Sequence, residues 1–136
     1  MSTANEINLN KIKTQADAVI HFLQRLDVEM VSDILEDSRT YQDFEKSIFI
    51  KKLSIAIDEF VASGDIFLNC YRGCCNSETC NYDCEGFTFS GNKSKNFIDL
   101  VIITKDGVVQ DMYECINFKN LDDIPTLNER IKINKF

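Results

Sequence analysis

The sequence predicts an α+β domain, with N-terminal helices packed on a curved antiparallel β-sheet. Up to Val61 apolar residues recur at steps of three and four, the period of amphipathic helices. After Gly64 the period drops to two, the period of strands. From there strand-like runs are joined by turn chemistry with no helical stretch between them, which is a meander.

The first helix is expected from Leu9 to Leu26. Leu9, Ile12, Ala16, Val19, Ile20, Leu23 and Leu26 form its stripe, with no Gly or Pro inside. The lone histidine, His21, sits beside that stripe without any triad or ligand spacing, and reads as a helical residue and not a ligand. Asp27 is placed to cap a second helix, whose apolar face is Val28, Val31, Ile34 and Leu35. Residues 39–46 show no clear period and read as a short extended segment holding Tyr41 and Phe44. Ser47 can cap a third helix, with Ile48, Ile50, Leu53, Ile57, Phe60 and Val61 on its apolar side and Ser63-Gly64 closing it.

Ile66, Leu68 and Cys70 alternate with Phe67, Asn69 and Tyr71 in the first strand of the meander. Residues 85–90 place Phe87 and Phe89 on one face of the second; they read as core, or as the lining of a pocket together with Phe97. Gly91 to Ser94 is turn chemistry. Residues 96–104, NFIDLVIIT, are bulky on both faces, as in a central strand. Asp106-Gly107 signals a two-residue hairpin into a fourth strand, Val108 to Phe118. The whole chain, residues 1–136, reads as one domain with its core over residues 9–118. Residues 119–136 follow as a tail or edge strand containing the only proline, Pro125.

Composition excludes several classes of function. A net charge of −7 leaves no basic stripe for a nucleic-acid backbone, and Lys51, Lys52, Lys93 and Lys95 read as solvated faces. The same balance disfavours anionic membrane surfaces, and the apolar runs are too short to span a bilayer. The N-terminal MSTANEINLN lacks a signal-peptide pattern, so a cytoplasmic protein with reduced thiols is expected. At 136 residues the chain can bury a real core without cross-links.

The run LDVEMVSDILED, a short extended piece, SIFIKKLSIAIDEF and finally NFIDLVIITKDGVVQDMYEC together resemble the cone-shaped nuclear-transport-factor-two-like fold. Ketosteroid isomerases and polyketide-cyclase-like proteins share that fold. The resemblance covers roughly residues 10–118 and rests on element order. It implies a curved sheet enclosing a pocket for a small apolar ligand, and often a homodimer. No catalytic motif matches position by position, so it transfers no catalytic residue.

A cysteine-rich stretch departs from that pattern. Cys70, Cys74, Cys75, Cys80 and Cys84 lie within CYRGCCNSETCNYDC, expected as the loop between the first two strands of the meander. Zinc takes four soft ligands in a tetrahedron. Cys75, Cys80 and Cys84 are the first three candidates, with Cys74 or Cys70 the fourth. No CxxC knuckle is present, so plain thiols and a disulfide or redox switch stay open beside zinc. Four thiolates would close the site, making it structural. Cys115 stands alone and reads as a small buried hydrophobe.

Asp99 lies in the middle of the most apolar strand. It is either buried with a partner or faces the pocket of the cone as a general base, with Tyr113 and Glu114 on the next strand as its partners. Two functions follow. One is a small binding or interaction domain with a structural zinc–thiolate loop. The other is a small lyase or isomerase acting on an apolar substrate through Asp99 and Tyr113.

Overall fold

The computed structural model describes residues 12–75, 84–116 and 118–133. Helix α1 spans Gln15–Gln24 and α2 spans Val28–Ile34. A small hairpin, β1 (Thr40–Tyr41) and β2 (Phe44–Glu45), leads straight into α3 (Lys46–Ala62). Then come β3 (Leu68–Cys75), β4 (Cys84–Gly91), β5 (Phe97–Lys105), β6 (Val108–Glu114) and β7 (Phe118–Asn120). The large sheet is open and antiparallel, in the order β6-β5-β4-β3-β7. The α+β architecture is as the sequence implies. Among the described residues no helix is long and apolar enough to cross a membrane.

Local signals account for most element ends. Thr14 Oγ1 accepts from Asp17 N–H at 3.1 Å and starts α1, leaving Ile12 and Lys13 before the helix. Leu9 lies outside the described residues. Asp27 Oδ1 caps α2 by accepting from Met30 N–H at 3.1 Å. Helix α3 starts one residue before Ser47, with Glu45 in the cap position and no side-chain cap bond. Its start is held instead by the β1–β2 hairpin and by Lys46, whose Nζ donates to Leu35 O at 2.7 Å and to Asp37 at 2.6 Å. At the other end Gly64 adopts φ +90°, Gly64 N–H donates to Val61 O, and Asp65 N–H donates to Phe60 O. That paired closure is the left-handed stop Gly permits.

The sheet turns its two sides to different partners. Phe87, Phe89, Ile98, Leu100, Ile102 and Met112 pack against the helices in one apolar cluster. Tyr41 brings the small hairpin into that cluster against Phe49, and its hydroxyl donates to Glu36 O and accepts from Glu36 N–H. The opposite side is met by the C-terminal tail. Strand β7 pairs with β3, and the chain then returns to β5, where Phe97 forms a parallel bridge with Arg130. Phe97 N–H donates to Glu129 O, and Ile131 N–H donates to Phe97 O. Ile131 and Ile133 enter the apolar cluster, so packing extends past residue 118.

Two strands differ from the sequence reading. The expected strand to Phe118 stops at Glu114, and Phe118 belongs to β7 on the far side of the sheet. Strand β3 begins at Leu68 and runs on to Cys75, because β7 continues its pairing through Cys74↔Lys119 and Cys75↔Phe118. Ile66 and Phe67 stay outside it, exposed, with their N–H groups donating to Asn92 Oδ1.

Candidate functional site

Two groups of predicted residues can now be placed, beginning with Asp99. Its strand, β5, lies between β4 and β6, as its apolar composition requires. Ile98, Leu100 and Ile102 point to the helices, so Asp99 points to the tail side, where it is 4% exposed. Its register partner on β4 is Thr88, itself fully buried. Thr88 Oγ1 donates to Asp99 Oδ1 at 2.5 Å. Arg130 Nη1 donates to Asp99 Oδ2 at 2.6 Å, and its guanidinium lies 4.8 Å from the centroid of the Phe97 ring. Both carboxylate oxygens are therefore engaged by the protein itself.

Asn120 of β7 extends this cluster, with its side-chain amide 2.8 Å from Thr88 Oγ1. The single hydroxyl proton of Thr88 serves the carboxylate, the stronger acceptor. The Asn120 Oδ1 atom is the second acceptor within reach of that hydroxyl. Tyr113 stands opposite Val101, diagonal to Asp99 on the same side of the sheet. Glu114 points the other way, accepting from Gln42 Nε2 at 3.1 Å and from Ile133 N–H at 2.9 Å. The carboxylate has the buried partner that the sequence leaves open. Arg130, which supplies the ion pair, lies in the stretch read as a tail, and only its cationic side chain hinted at that role.

The cysteines divide along β3 and β4. Cys70 is half-buried and packs against the helix-side cluster. Burial, with Asp122 adding repulsion, pushes its thiol up to about 12. Cys74 is half-buried opposite Lys119. Cys75 is the last residue of β3 and Cys84 the first of β4, each two residues beyond the Gly73↔Gly86 pair. Cys80 lies outside the described residues, as do the side chains of Cys75 and Cys84. Among the described residues no three His, Cys, Asp or Glu groups gather as a metal site. Cys115 is buried where β6 has just left the sheet.

The glycine pair beneath this end was not singled out by the sequence. The Phe118 ring lies over Gly73 and Gly86, which face each other across β3 and β4. A Cβ on either would overlap that ring. The glycines thus admit the end of an aromatic side chain close against the backbone, beside the cysteine-bearing strand ends.

The remaining candidates are bland. His21 meets Phe22 edge-on at 5.0 Å between ring centroids, and burial, with Arg25 adding to it, lowers its pKa. Phe87 and Phe89 are core. A hollow of about 830 Å³ opens elsewhere, between α2 and the start of α3. Asp37, Ser38, Arg39, Glu45, Lys46 and Ser47 are among its lining residues, and Asp99 is not.

No family model, curated protein or solved structure matches this chain.

Proposed function

We propose that the chain is a small binding or interaction domain of cone-like fold, with the β3–β4 end fastened by zinc on the thiolates of Cys74, Cys75, Cys80 and Cys84. The observation that carries this is the strand layout. Antiparallel pairing of β3 and β4 brings Cys75 and Cys84 to the same end of one hairpin, with Cys80 in the connection; Cys74, on the other face of β3 from its neighbour by strand alternation, completes the set around the strand end. Cys70 drops out of the set, because its thiol is turned to the core and resists ionisation. Four thiolates leave zinc no open position, so the metal staples and does not catalyse.

The lyase or isomerase reading needs Asp99 to take a proton from a substrate. Thr88 and Arg130 already occupy both of its oxygens, and no observation favours that reading. Elemental analysis with thiol titration, on protein purified without added zinc, tests the staple. About one zinc per chain is expected, and Cys75→Ser with Cys80→Ser should abolish it and lower the melting temperature. Unchanged metal content and melting temperature in that variant would sink the proposal.

A further inference from the structure

Helix α3 has a second apolar feature that the core does not use. Phe49, Leu53, Ala56, Ile57 and Phe60 are its buried residues. On the opposite side Ile48, Lys51, Ile55, Asp58 and Ala62 form one exposed stripe at alternating steps of three and four. Ile48 and Ile55 remain 44% and 49% exposed. The solvent side of a lone helix is ordinarily polar, whereas apolar residues seven apart on one line make a helix-pairing seam. The charges on this stripe are also ordered. Lys51 precedes Ile55 and Asp58 follows it, so the stripe is basic toward the helix N-terminus and acidic toward the C-terminus.

We infer that this stripe is a homodimer interface in which two α3 helices pack antiparallel about a two-fold axis at Ile55. The stripe is self-complementary in that orientation. Ile55 meets the partner's Ile55, and Ile48 meets the partner's Ala62. Lys51 then lies within one residue's rise, about 1.5 Å along the axis, of the level of the partner's Asp58. The two-fold axis makes that ion pair twice. A parallel pair would set Lys51 beside the partner's Lys51 and Asp58 beside the partner's Asp58, so the charges select the antiparallel arrangement. One helix pair is a small interface, so the dimer forms and dissociates with concentration.

This interface lies on α3, away from the cysteine-bearing strand ends, and does not depend on zinc. Sedimentation equilibrium tests it across a concentration series. The unaltered chain should pass from monomer to dimer, and Ile55→Asp should remain monomeric. Lys51→Glu and Asp58→Lys should each weaken the dimer at least about tenfold, with unchanged helical circular dichroism. Mixing these two variants should restore dimers as heterodimers, since each then faces opposite charge. The double variant should dimerise with itself. A chain that stays monomeric at ~1 mM, where even weak association shows, overturns the inference. So do single reversals that dimerise like the unaltered chain, or a mixture that forms no heterodimer.

Discussion

On β4, Phe89 turns to the helices, while Thr88 and Ser90 on either side of it turn to the tail; all three are fully buried. The helix side is sealed by many apolar contacts that need no particular angle. The tail side is sealed by a few directed contacts: Thr88 and Arg130 on Asp99, Asn120 on Thr88, and one ring laid over two glycines. One side should therefore answer to lost volume, and the other to lost partners or added atoms.

The largest effect is expected on the helix side. Phe89→Ala should cost about 3–5 kcal/mol of unfolding free energy by denaturant titration, through lost transfer energy and the cavity left behind. On the tail side Arg130→Met should cost about 3 kcal/mol, because it strands a buried carboxylate. Asp99→Asn should cost less, since the amide keeps an acceptor for Thr88 and the partly exposed Arg130 can reach water. If the two substitutions cost the same, the tail side is packing and not pairing. Asp99→Leu combined with Arg130→Met should recover most of the loss.

Gly86→Ala should cost about 1–3 kcal/mol, since the new methyl meets the Phe118 ring and the Gly73 carbonyl. In a Phe118→Leu background the same change should cost measurably less, a coupling read from a double-mutant cycle.

The smallest effect concerns Cys70, which belongs to the helix side although it lies among the clustered cysteines. Its folded pKa is raised from 9.0 to about 12. The unfolded thiol therefore ionises first, and its contribution is intact below pH 9 and lost as pH rises toward 12. At pH 10 the loss is about 1.4 kcal/mol. Cys70→Val should flatten that part of the stability profile, and an unchanged alkaline slope would show the thiol to be open to water.

What was legible in the sequence follows the same division. Asp27, Gly64 and Asp106-Gly107 act within a few residues, so caps and turns could be read directly; both turn residues of the last pair have positive φ. The helix stripes and the central apolar strand were legible because burial leaves a period. Asp99 was legible as a carboxylate needing a partner, but not the partner itself, since Arg130 lies far along the chain. Ser47 looked like a cap, yet Lys46 and the preceding hairpin start the helix two residues earlier, with Glu45 in the cap position. The cysteine stretch read as loop because its pairing is lent by β7, whose own sequence is too short to announce a strand.

The strand order has a consequence for synthesis. Strand β7, the last made, lies against β3, the first made of the large sheet. A growing chain can assemble its helices and the β3–β6 meander while the glycine pair and the outer edge of β3 are still bare. The Gly73–Cys75 stretch of that edge is an open template for another extended chain until β7 leaves the ribosome. The tail thus covers that stretch of β3 last, and shortening it before Phe118 would leave those strand groups without their partner.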